Sequence, residues 1–147
     1  MKRLITVISL FLSLTSLTAQ TENPVADPSA VITSGKARFT VLTPEMIRIQ
    51  YSDRNLFEDR ATFAIINRRL PVPQFSTSEQ DGWLTIKTSA LTLKYKIGGK
   101  ISAATPSDQV LNIRFTLNGR DVLWYPGKDD AMNLKGTTRT LDGQIGD

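Results

Sequence analysis

Residues with chemical potential are sparse in this chain, and none of them forms a complete catalytic set. Two adjacent carboxylate pairs, Glu58-Asp59 and Asp129-Asp130, are of a type suited to general acid–base work. Neighbours on an extended backbone point to opposite faces, so adjacency does not aim both groups at one bond. Loop solvation and local turn bonding are the plainer account of both pairs. Calcium wants several oxygen ligands at loop spacing, and no Asp-x-Asp-x-Asp pattern surrounds Asp129 and Asp130. Histidine and cysteine are absent, which removes the usual zinc sites and the histidine-based triads. Lys135-Gly136-Thr137 lacks the upstream glycine of a phosphate loop, and no serine lies in a Gly-x-Ser-x-Gly elbow. No catalytic residue, metal or cofactor is therefore expected from the residues themselves.

The two tryptophans are candidates of another kind, since an indole can pack a core or offer a flat face to a sugar ring. Trp83 follows an Asp-Gly turn signal at a strand start, which favours packing in the core or at an edge. Trp124 stands at the exit from the last strand, beside Tyr125-Pro126-Gly127. Its place suits equally the base of a loop and the lining of a rim. From Trp124 to Gly143 the chain has neither a helical period nor strand alternation. A polar, glycine-punctuated segment of about 20 residues is uncommon inside a domain and is usually functional or disordered.

The elements that must position these groups are strands. In Ala37–Val41 apolar residues fall on alternate positions. After the Thr43-Pro44 turn, Met46–Tyr51 repeats the pattern and pairs antiparallel with the first run. Phe63-Ala64-Ile65-Ile66, within Thr62–Asn67, is a continuous apolar run suited to a strand covered on both faces. Pro71 and Pro73 make the next stretch a connector or an edge. Phe75–Glu79, Trp83–Thr88, Leu91–Ile97, Leu111–Leu117 and Arg120–Trp124 complete the set. Asp81-Gly82 and Asn118-Gly119 supply turns, the latter a strong hairpin signal. No segment sustains a helical stripe, and no repeat is present. The expectation is an all-β fold, an antiparallel β-sandwich.

Residues 1–19 read as a secretory signal peptide: a basic start at Lys2-Arg3, an uncharged run Leu4–Leu17, then Thr18-Ala19. That run is short of the roughly 20 apolar residues that cross a bilayer. The expected location is secreted or periplasmic, with no membrane span after cleavage. Removal leaves about 130 residues, one ordinary domain. Residues 20–35, with Pro24, Pro28 and Gly35, read as a flexible lead-in, with a short strand at Val31-Ile32 at its end. The net charge of +4 includes Lys2 and Arg3, and Arg68-Arg69 is the sole adjacent basic pair after them. The bases look scattered along the strands, so nucleic acid is not an expected partner.

Several pieces taken in order resemble the N-terminal region of bacterial glycoside hydrolase family 31, in the branch of secreted α-glucosidases and α-xylosidases. They are Ala37–Tyr51 with Pro44 in its turn, Phe57-Glu58-Asp59-Arg60, Asn67–Pro73, Gly82-Trp83, Trp124-Tyr125-Pro126-Gly127 and Asn133–Gly143. The sharpest is Asn-Leu-x-Gly-Thr-x-Arg-Thr-Leu-Asp-Gly, and the similarity runs from about Lys36 to the end. The resemblance implies a galactose-mutarotase-like sandwich over 36–125. It implies a polar loop, 126–147, leading to a catalytic (β/α)8 barrel that carries the catalytic aspartates. On that basis no residue of this chain inherits a catalytic role. Asn133, Thr137, Arg139 and Asp142, with Trp124, are the candidates for shaping a substrate rim or for docking sandwich on barrel. The whole enzyme would hydrolyse α-linked glucosides or xylosides with retention. Two other readings stand beside it. A free-standing carbohydrate-binding module would bind oligosaccharide through Trp124, with Trp83 serving stability. A non-functional remnant would expose an apolar face and aggregate.

Overall fold

The computed structural model describes residues 22–63 and 65–129. It is an all-β, antiparallel sandwich of two unequal sheets. The small sheet holds β1 (Val31–Ser34), β2 (Ala37–Thr43) and β3 (Met46–Tyr51), with β2 central. The large sheet holds β4 (Ser76–Gln80), β5 (Trp83–Lys87), β6 (Leu91–Lys96), β7 (Leu111–Leu117) and β8 (Arg120–Trp124), joined in chain order as a meander. Among the described residues the one helical element is a 3-10 turn, Pro28–Ala30. It is capped by Asp27, whose side chain accepts from the Ser29 amide at 3.0 Å. No helix among them is long and apolar enough to cross a membrane.

Turn chemistry sets the register. Asp81 and Gly82 have φ of 54° and 76°, and Asn118 and Gly119 have 51° and 74°. Two successive positive φ values are what a type I′ hairpin needs, and its twist matches the strands it joins. Leu42 is an extra residue between Val41 and Thr43, a bulge that lets the Pro44 turn close.

The core follows from alternation in both layers. Ala37, Phe39 and Val41 of β2 face Leu84, Ile86, Leu93, Tyr95 and Leu111 of the large sheet, all of them buried. The Phe39 and Tyr95 rings lie 5.3 Å apart, tilted by 56°, a favourable aromatic geometry. Each fully buried aliphatic side chain is worth about 1.5–3 kcal/mol, so this cluster dominates stability. Tyr95 donates its hydroxyl to the Gly99 carbonyl at 2.8 Å, and its titration is pushed up, chiefly by burial. The buried Thr88 hydroxyl donates to the Pro44 carbonyl at 2.6 Å and so ties a turn of one sheet to a turn of the other.

Three of the expectations need correction. Thr62–Asn67 is not a strand, and Phe63 is fully exposed. Thr62 and Ile65 instead close a local turn, with the Thr62 amide donating to the Ile65 carbonyl at 3.1 Å and the Ile65 amide to the Thr62 hydroxyl at 3.2 Å. Ala64 lies outside the described residues. The lead-in is also ordered before residue 36. β1 pairs with β2, and the Asn23 carbonyl accepts from the Arg68 amide at 2.7 Å and the Arg69 amide at 3.2 Å. Ile97, the last residue of the expected strand Leu91–Ile97, lies past the end of β6 and is exposed.

Candidate functional site

Three surfaces bring chemistry-bearing residues together. The first is the outer face of the small sheet. Arg38 pairs across the ladder with Gln50, and Arg48 with Thr40. The segment after β3 folds back over this face. Arg38 grips the Asp59 carboxylate in two bonds, one of them at 3.0 Å, and donates from Nε to Gln50 Oε1 at 3.0 Å. Its guanidinium also lies 4.8 Å over the Phe57 ring. Arg48 donates to the Glu58 carbonyl at 2.6 Å and lies 3.6 Å from Asp59. Burial, and then the nearby Arg68 and Arg38 charges, hold the Arg48 guanidinium below its ordinary value.

Glu58 and Asp59 therefore point to different partners. The Glu58 carboxylate accepts from Arg60 Nε at 2.9 Å and Nη2 at 2.6 Å, and from the Arg60 amide at 2.7 Å. Those bonds bring its pKa down to about 2. Two carboxylates bonded to separate arginines are not aimed at one another, so this is a structural clasp and not an acid–base pair. Alternation alone could not find it, because it joins a strand to an irregular loop. Asp129 is exposed, and Asp130 lies outside the described residues. Among the described residues no three metal-ligating side chains cluster.

The second surface is the open part of the sandwich interior. Along one inner row Ile86 and Leu93 are buried, Ile113 is half-buried, and Trp124 is 41% exposed. The next row runs Leu91, Phe115, Val122, and in the row beyond it Leu117, 57% exposed, pairs with Arg120. The small sheet covers β5, β6 and the start of β7 and leaves the rest bare. Trp124, Met46, Ile47, Ile113, Phe115 and Leu117 line an apolar groove of about 450 Å³ there. Trp124 thus belongs to the inner face and not to a solvent rim above it. The chain leaves the groove through a turn in which the Lys128 amide donates to the Tyr125 carbonyl at 3.1 Å. Gly127 has φ of 76° at that turn, and a Cβ there would strike the Ala103 carbonyl and the Pro106 ring. Asn133, Thr137, Arg139 and Asp142 lie outside the described residues.

The third surface is the outer face of the large sheet. Trp83 is on it, half-buried, opposite Gln80 and Lys96. The sequence reading of Trp83, packing in the core or at an edge, is corrected: it lies on the outer face of a strand flanked on both sides, and its neighbour Leu84 takes the inward position. The Lys96 ammonium lies 5.5 Å over the indole and donates to the Asp81 carbonyl at 3.3 Å. Thr85 is opposite Lys94, and Lys94 is opposite Asn112. Thr92 is opposite Lys87 on one side and Arg114 on the other. Four of the bases that look scattered in sequence, Lys87, Lys94, Lys96 and Arg114, are thereby gathered on one face. The signal was present in the alternation of β5 and β6, but only the strand order reveals it.

A scan against protein-family models finds no match, and no curated protein matches the chain.

Proposed function

We propose that this chain is the N-terminal, non-catalytic sandwich region of a secreted glycoside hydrolase of the family 31 type, galactose-mutarotase-like in fold. The full-length enzyme hydrolyses α-linked glucosides or xylosides with retention, using two carboxylates that belong to a barrel domain. The observation that carries this reading is the order of the six sequence pieces along a chain that folds as an antiparallel sandwich. Three structural features support it. The Phe57–Arg60 piece is the clasp on the outer face of the small sheet. The Trp124–Gly127 piece is a turn whose glycine is required by backbone approach. The bare apolar rows of β7 and β8 lie where the chain leaves the sandwich, and in this reading the barrel domain covers them. Asn133, Thr137, Arg139 and Asp142 then serve the contact between domains or the substrate rim.

Reading the coding DNA beyond the Asp147 codon tests the proposal. The expected result is an open frame of alternating strand and helix units bearing a pair of aspartates at strand ends. A frame encoding no barrel would overturn it.

A further inference from the structure

The outer face of the large sheet has no part in the proposed catalytic support, yet it has the character of a binding surface. Its groove, of about 430 Å³, is lined by Trp83, Thr85, Lys94, Asn112 and Arg114, with Asp81 and Asp108 at its walls. Volumes of this order suit small-ligand sites. From these features we infer that this face binds an acidic polysaccharide, a glycan carrying carboxylate or sulfate groups.

Three observations converge on that ligand. First, Lys87, Lys94, Lys96 and Arg114 project from one face, all exposed, and none enters an ion pair among the described residues. Unpaired cations gathered on one face create a positive potential that favours an anion. Asp121 on the same face, and Asp81 and Asp108 at the groove, are the opposing charges. The Asp108 carboxylate already accepts from Gln109 Nε2 at 2.8 Å, and Asp121 from the Thr116 hydroxyl at 3.2 Å. Second, Trp83 offers an indole in the groove, held in place by Lys96, and a flat aromatic face suits the apolar side of a sugar ring. Third, Ser78, Thr85, Thr92 and Asn112 interleave with the cations across the strands. Hydroxyls and amides both donate and accept, as sugar hydroxyls require.

Each rival ligand lacks one of these matches. A neutral glycan leaves the cations unanswered. A nucleic acid needs successive aromatic platforms for its bases, and Trp83 is the one aromatic side chain these rows present outward. Five strands at about 4.8 Å spacing give a face about 20 Å wide, room for an extended chain and not only for one ring.

The inference is independent of the family reading, and its test measures no hydrolysis. The chain has two tryptophans, so in a Trp124→Phe background the emission reports Trp83 alone. Titration with polygalacturonate at low salt should change that emission saturably, and added salt should weaken the binding. Neutral dextran should give no response. Combined Lys94→Gln and Arg114→Gln, both exposed, should weaken binding by about tenfold, the scale of a lost charge-assisted contact. Arg54→Gln, off this face, should leave it unchanged. No response to polygalacturonate, or a response untouched by the double substitution, would overturn the inference. Single-stranded DNA binding more tightly than polygalacturonate through the same residues would overturn the glycan assignment.

Discussion

Arg68 shows how much one side chain holds. It is 2% exposed and has no carboxylate partner among the described residues. Its guanidinium donates instead to the carbonyls of Pro24 at 3.0 Å, Arg60 at 3.1 Å and Asp59 at 3.3 Å. Its Nε finds no partner. One rigid fork of donors thus fastens the lead-in to the loop that carries Asp59. Arg68→Met should cost about 2–3 kcal/mol in urea unfolding, because buried carbonyls lose their donors. It should also speed proteolysis between Arg54 and Phe63. Unchanged stability would refute the role.

Acid sensitivity is also set at single residues. Glu58 has a folded pKa of about 2 against an ordinary 4.5. Its pKa is depressed by folding, so its contribution is complete above about 4.5 and is lost as pH falls through about 2. Asp27, bonded by the Ser29 hydroxyl and amide, and Asp53, bonded by Lys36, shift the same way. The melting temperature should therefore fall between pH 4.5 and 2, and Glu58→Gln should flatten that fall. A Glu58 carboxyl that titrates near 4.5 by NMR would contradict the clasp geometry.

At the scale of elements, burial separates positions that the sequence makes look alike. Phe39 lies between the layers and Trp83 on a solvent face. Phe39→Ala should cost about 3–5 kcal/mol. Trp83→Ala should cost about 1 kcal/mol or less, as outward positions do. Equal losses in thermal or urea unfolding would reverse the assignment of faces. Gly127→Ala should cost about 2 kcal/mol or more, since it meets both a positive φ and a backbone oxygen.

Most strands were legible because Leu91, Leu93 and Tyr95 alternate so cleanly with Thr92 and Lys94. The turns were legible because Asn-Gly and Asp-Gly tolerate positive φ. Phe63–Ile66 reads as a strand yet lies in a loop, because an apolar run has no period to separate the two. Strand order was not legible, since alternation fixes which side chains share a face of a strand and not which strands share a sheet. The Arg38–Asp59 clasp and the gathering of Lys87, Lys94 and Arg114 depend on that order, so neither could be read beforehand.

At the scale of the whole molecule, three strands cover part of five, and two of the faces have separate characters. The inner rows of β7 and β8 are open and mostly apolar, with Arg120 at their far end, which suits contact with further protein. The outer face of the large sheet is basic and polar, which suits an acidic glycan. In the proposed reading, a sandwich that docks on a catalytic domain by one face and on an acidic glycan by another would anchor the enzyme to a charged matrix distinct from the neutral glycoside that it cuts. Among the described residues Asp59 and Glu58 bond to separate arginines, and the proposed function puts bond cleavage in a barrel domain.

Hydrolysis of p-nitrophenyl α-glucoside and α-xyloside tests that placement most directly, with this chain and the product of the complete gene assayed in parallel. The chain alone should release no nitrophenol, and the complete product should cleave one of the two with retention of the anomer. Turnover by the chain alone, or a folded complete product inactive on both, would contradict the account.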